Sequence, residues 1–209
     1  MTWLLVFFGA ALFIALTPGA NNLLGLHHGM RHGLAKALAG LGGRLAAFSL
    51  MVAAVAIGLG QVLAASEVAL TVIKWIGVAY LVWLGGSLLV STFRHGGRPS
   101  LPTDAGEPLP VWPLVRKEFL VAITNPKAVL VFTAFVPQFV DNTHGPVSWQ
   151  VTLLGICYLL AEFLAGTVYV GVGAVARAAA LSARARRNVD RGTGIVLLGM
   201  AGALATSVR

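Results

Sequence analysis

The sequence predicts an all-α polytopic membrane protein. Six transmembrane helices are expected in two inverted three-helix repeats, with the first and fourth helices broken. Three observations lead there. Only 11% of the 209 residues are charged and 57% are hydrophobic, whereas roughly a quarter of a soluble domain is charged. The hydrophobic residues gather into six runs, and residues 46–63 carry only Ser49 and Gln61 as polar side chains, too long a stretch for a soluble core. The segments between the runs alternate between basic ones and ones without Lys or Arg.

The runs are residues 3–26, 37–63, 68–93, 119–140, 149–175 and 194–208. A hydrocarbon layer of ~30 Å needs about 20 helical residues. The last run is short for that, so its helix is expected to begin near Val189. The first connection holds Arg31 and Lys36 with His27, His28 and His32. The second, residues 61–67, has no Lys or Arg. The third holds Arg94, Arg98, Arg116 and Lys117, the fourth (141–148) none, and the fifth Arg177, Arg184, Arg186, Arg187 and Arg191. Basic connections stay in the cytoplasm, so both termini are expected outside. The same rule accounts for the net charge of +8 without nucleic acid as a partner. The three histidines are expected in a polar cytoplasmic loop rather than at a metal site or pH sensor.

Cys157 is the one cysteine, so there is no internal disulfide and no thiol metal site; no cofactor is implied. Residues 1–20 lack the Lys or Arg of a signal-peptide start, and Pro18 sits awkwardly for cleavage. They are read as a retained span. Pro99, Pro102, Pro108, Pro110 and Pro113 with Gly96, Gly97 and Gly106 make a flexible linker. The chain is therefore a single transmembrane domain, 1–209, organised as repeat one (1–93), linker (94–112) and repeat two (113–209).

The repeat is read from matching interruptions. Phe13-Ile14-Ala15-Leu16-Thr17-Pro18-Gly19 can be laid over Val121-Ala122-Ile123-Thr124-Asn125-Pro126. Each half breaks at Thr plus Pro inside its first span. Gly77 and Gly85 in the third span share their spacing of eight with Gly194 and Gly202 in the sixth. Three spans per half is an odd number, so the second half is inverted. One break alone would be an ordinary proline kink. Two at matching positions, beside Asn21, Asn22 and Asn125, point to a substrate site built from exposed backbone groups and helix-end dipoles. Pro18, Gly19, Asn21 and Asn22 would shape one half-site, and Asn125, Pro126 and Lys127 the other.

Arg44, Lys74, Lys127 and Glu162 fall inside the runs, where a charge costs roughly 3 kcal/mol or more unless paired or hydrated. Arg44 and Lys74 lie ~10 Å from a span end, so each could either reach the interface or line the cavity. Glu162 is central and too short to escape. Gly155, Glu162, Gly166 and Gly173 share one helical stripe, which should face the bundle. Two roles stay open for Glu162: a proton carrier, or a static ion pair with Lys127 or Lys74. Lys127 suits a substrate carboxylate, Glu162, or freed backbone carbonyls. An intramembrane enzyme is disfavoured because no run contains His and only one acid sits mid-span. A passive channel and an accessory subunit without coupled transport remain as rivals.

Thr17-Pro18-Gly19, the run Lys74-Trp75-Ile76-Gly77-Val78-Ala79-Tyr80-Leu81-Val82-Trp83-Leu84-Gly85, Asn125-Pro126-Lys127, Pro137-Gln138-Phe139, Glu162 and the closing glycine-rich span together resemble the lysine exporter (LysE/RhtB) family of bacterial amino-acid effluxers. They cover nearly the whole chain in order. The resemblance implies a six-span transporter of the bacterial inner membrane, with a homodimer as a candidate assembly. It would move amino acids such as lysine, arginine, homoserine, threonine or leucine outward, driven by protons. It implies Lys127 on the substrate carboxylate, Glu162 on the proton or the α-amine, and Lys74 in the binding set. Ala20 stands where the family often has a second proline, Arg44 where it is usually small, and Glu162 where it usually has Asp.

Overall fold

The computed structural model describes residues 2–58, 67–94, 110–140, 145–179 and 182–206. Among these residues every regular element is helical. Helix α1 (Thr2–Leu16) stops where Pro18 removes a backbone donor and pushes Thr17 out of helical geometry. Helix α2 (Ala20–His32) then starts at an angle of 63° to α1. Gly33 takes φ +80°, a conformation open to glycine at no steric cost, and turns the chain into α3 (Leu34–Ala56). Helix α4 spans Glu67–Arg94. Helix α5 (Trp112–Ile123) begins with Pro113 in its first turn, where a missing N–H costs nothing.

The second break falls at Thr124-Asn125. Pro126 opens α6 (Pro126–Leu130), and the Asn125 side chain accepts the Lys127 amide at 3.0 Å. A wide turn (Val131–Phe135) and a tight one (Val136–Phe139) extend this arm, which bends 54° from α5. Helices α7 (Val147–Ala178) and α8 (Ala183–Thr206) complete the order. Helices α3 and α7 are each long and apolar enough to cross a membrane, as are the two bent pairs taken together. That makes up to four crossings, with a shorter apolar stretch, Lys74–Val90, in α4.

Three expectations need correction. His27, His28 and His32 lie on α2 rather than in a loop. Arg177 lies on α7 and the following arginines on α8, which starts at Ala183 instead of near Val189. Hydropathy records where apolar side chains stop, whereas a helix continues until its backbone is broken or capped. The linker of 94–112 falls largely outside the described residues, as do parts of the expected 61–67 and 141–148 connections.

The core is aromatic where α1, α3, α7 and the second arm meet. Phe132 and Tyr158 rings lie 5.2 Å apart, Phe48 and Tyr158 5.9 Å, and Phe7 stacks on Phe135 at 5.3 Å. A second cluster joins Leu24, Leu81, Leu84, Val121 and Leu197. Phe13, Ile57, Trp75, Trp83 and Val175 face outward, an apolar exterior suited to lipid. Helices α2 and α7 touch backbone to backbone. A Cβ on Gly29 would strike the Val170 carbonyl, and one on Gly173 the Leu26 carbonyl. Gly85 and Gly194 join α4 to α8 the same way, with 2.9 Å from a Gly85 Cβ to the Gly194 oxygen.

Candidate functional site

The first break frees the carbonyls at the end of α1, and side chains from three other elements satisfy them. Asn22 Nδ2 donates to Ala15 O at 2.8 Å and to Thr17 O at 3.1 Å. Lys127 Nζ donates to Ile14 O and, at 3.2 Å, to Thr17 O. The Tyr169 hydroxyl donates to Leu16 O at 2.9 Å. A cation at a helix C-terminus is favourable both for the dipole and for the unpaired carbonyls. Of the roles open to Lys127, contact with freed carbonyls is therefore observed.

Behind the break lies a buried polar network. Arg44, on α3, has no exposed surface. Its Nε and Nη2 each lie 3.1 Å from Glu118 Oε2. Its Nη1 donates to Asn22 Oδ1 at 3.0 Å and lies 3.7 Å from Glu162 Oε2, and Nη2 donates to the Asn21 carbonyl. Glu162 Oε1 accepts the Tyr158 hydroxyl at 2.9 Å. Asn21 Nδ2 donates to Glu118 Oε2 at 3.2 Å, and Asn125 Nδ2 donates to Asn21 Oδ1 at 3.0 Å. That last bond ties the two breaks directly. Arg44 and Lys127 balance Glu118 and Glu162 when both acids are ionised, which is the condition for keeping such charges inside a fold.

A cavity of about 10 Å³, lined by Gly19, Asn21, Asn22, Asn125, Lys127 and Glu162 with aromatic walls from Phe48 and Tyr158, sits at the meeting of the breaks. It has room for roughly one water molecule, so anything larger requires the helices to part. Gly19 caps α2 without a side-chain oxygen, and a bare helix N-terminus favours a negative group.

Six of the predicted site residues are thus brought together. Pro18 is exposed and acts by breaking the chain. Pro126 opens α6. Lys74 is half-buried on α4, 6.0 Å from the Trp75 ring centroid, and is not among the residues lining the cavity. Arg44 does not reach outward; it belongs to the buried network. The expected stripe of Gly155, Glu162, Gly166 and Gly173 is buried along its length. Gly202, by contrast, has open space beside it.

Sequence reasoning missed Glu118, and with it the presence of a second buried acid, as well as Tyr158 and the placement of Arg44. The signal lay in helical faces. Glu118 shares a face with Leu114, Val121 and Ala122, Arg44 with Leu41 and Phe48, and Tyr158 with Glu162. A run counted by hydropathy begins one residue after Glu118.

The family model for LysE type translocators matches residues 12–208. The chain belongs to the LysE family. LysE proteins are transporters, not enzymes. This LysE member is 33% identical over 174 residues to an uncharacterized membrane protein of Vibrio cholerae, covering 82% of this chain and 80% of that one. It is 28% identical over 172 residues to a leucine efflux protein of Klebsiella pneumoniae, covering 78% of each. It is 27% identical over 167 residues to a homoserine/homoserine lactone efflux protein of Salmonella typhi, covering 80% of this chain and 78% of the relative. No solved structure gives a significant match.

Proposed function

We propose that the protein exports an amino acid or closely related small zwitterion across the bacterial inner membrane, by proton antiport with alternating access. The observation that carries this reading is the Asn21–Asn125 contact, which joins two helix breaks around a cavity bearing Lys127 and Glu162. A zwitterion has one carboxylate and one amine. The α2 N-terminus and Lys127 suit the carboxylate, and Glu162 suits the amine. Relatives named for leucine and homoserine efflux support the substrate class.

Both termini lie outside in this reading, and the chain spans six times as two inverted repeats. A proton arriving on Glu162 from outside would displace the amine and release the substrate. The Arg44 guanidinium, 3.7 Å away, would favour the ionised acid again once the proton leaves inward. The cavity is too small for an amino acid as it stands, so binding must open it. Helices α2 with α7 and α3 with α5 are held by glycine contacts to backbone. The α4–α8 pair packs chiefly on itself, and it is the body best placed to move.

The test is flux from proteoliposomes loaded with a panel of neutral and basic amino acids, with and without an imposed pH gradient. The gradient is expected to drive at least one substrate uphill, and Glu162→Gln to remove that dependence while the protein still inserts. Flux of every substrate at the same rate in both conditions would make the protein a passive pathway. No flux of any would end the exporter reading.

A further inference from the structure

Glu118 and His28 are almost wholly buried, yet neither lines the cavity. We propose that Glu118 is a second proton-carrying acid of the transport site, that Arg44 is the cation it shares with Glu162, and that His28 and His32 connect it to the end of α2. The inference rests on the antiport reading and adds the route by which the proton leaves.

The geometry forms one row. The cavity acid Glu162 and Glu118 face opposite sides of a single guanidinium, at 3.7 Å and 3.1 Å. Glu118 Oε1 is 3.5 Å from His28 Nδ1, long for a hydrogen bond and within reach of one after a small closure. The His28 and His32 rings are 6.0 Å apart, and His32 is half-exposed. At 1.5 Å per residue, His28 lies about 12 Å and His32 about 18 Å along α2 from the break. The row therefore runs from the cavity to the basic end of the helix.

Arg44 makes the transfer feasible. Two buried carboxylates served by one cation cannot both lose it without leaving a bare charge. When the helices part and water enters the cavity, the Glu162 O–H gives its proton through that water to the Glu118 carboxylate, and Arg44 moves the other way, onto the newly ionised Glu162. Glu118 then gives the proton to His28 Nδ1 as the other ring nitrogen releases one toward His32 and solvent. While Glu118 holds the proton Arg44 serves Glu162, and once Glu118 has passed it on Arg44 again lies between the two acids, with Lys127 as the second cation beside Glu162.

The surrounding charges fit this direction. Glu118 also lies near Tyr80 on α4. His32 lies near His27 and His28 on its own helix, Lys36 of α3 and Lys117 of α5. His27, beside His28, is engaged by Asp190 of α8 at 3.0 Å, and Asp190 also accepts from Arg31. That carboxylate is thus already paired and does not hold the proton on His28.

The experiment measures protons and substrate together in proteoliposomes containing a trapped pH dye, with the substrate that the wild type transports. Glu118→Gln and His28→Gln are each expected to lower substrate-driven proton flux by about tenfold or more relative to substrate–substrate exchange, and Glu118→Asp to restore much of it. His32→Gln should have a smaller effect because water reaches that position. His28→Gln keeps a donor toward Glu118, so it decides the matter if Glu118→Gln fails to fold. Wild-type proton flux in the folded variants would overturn the inference and leave antiport intact. Transport without protons in the wild type would instead overturn the antiport reading.

Discussion

Asn22 gives the sharpest test of whether the break is held by side chains. It is 3% exposed and makes three hydrogen bonds: two to freed α1 carbonyls at 2.8 and 3.1 Å, and one from Arg44 at 3.0 Å. In Asn22→Ala, Thr17 O keeps Lys127 as a donor, but Ala15 O loses Asn22 and Arg44 Nη1 loses a neutral acceptor. A buried unpaired acceptor costs about 1–3 kcal/mol and a hydrogen bond to a charged group contributes about 1.5–3 kcal/mol. The sum is about 2.5–6 kcal/mol before relaxation. Taking about 3 kcal/mol, and ~2–4 °C per kcal/mol for a chain of this size, the midpoint should fall by about 6–12 °C. Cys157, the one cysteine, is partly buried on α7, so a fluorogenic thiol reagent in detergent reports unfolding directly. Thr17→Ala, whose exposed hydroxyl bonds only the Phe13 carbonyl at 3.0 Å, is the control and should change little. If Asn22→Ala melts with the control, the break is held by backbone geometry and the capping argument fails.

Further outcomes follow from contacts elsewhere. Gly29→Ala drives a Cβ into the Val170 carbonyl and should cost about 1–3 kcal/mol; Gly202→Ala meets nothing within 4 Å and should be neutral or gain up to about 1 kcal/mol, both read by the same melt. Lys127→Met keeps the apolar stem but leaves the Ile14 carbonyl without its cation, so exchange flux should fall more than the melting midpoint does, whereas equal losses would assign Lys127 to the fold alone. A cysteine placed in the 94–112 linker of a Cys157→Ala background should react with an impermeant reagent only after cells are opened; free labelling from outside would reverse the orientation.

The breaks were legible because proline and glycine act through the backbone itself, and no packing can supply the N–H that Pro18 and Pro126 lack. Glu162 and its glycine stripe were legible because a short acid deep in an apolar run has nowhere to go but inward. Arg44 was ambiguous for the opposite reason. A long side chain can reach either way, and only the position of Glu118 on another helix decides between them. Glu118 itself was hidden at a run boundary, where hydropathy cannot distinguish a buried residue from a solvated one. The histidines were misplaced by the same reasoning: polarity was taken to end the helix, whereas Gly33 ends it.

The interruptions and the buried charges depend on each other. An unbroken α1 would spend its last carbonyls on its own backbone, and Lys127 Nζ would have no acceptors at Ile14 and Thr17. Without Lys127 and Asn22, the Ala15 carbonyl would lose its donor at a cost of about 1–3 kcal/mol, and the Ile14 carbonyl would keep only the Thr17 amide at 3.2 Å. Asn22 also holds Arg44, and Arg44 holds both acids. A change that heals the break, such as replacing Pro18 and Gly19 by helix formers, should therefore do more than straighten a helix. It would withdraw the acceptors from one cation, turn Asn22 away from the other, and leave Glu118 and Glu162 competing for a guanidinium that has lost its support.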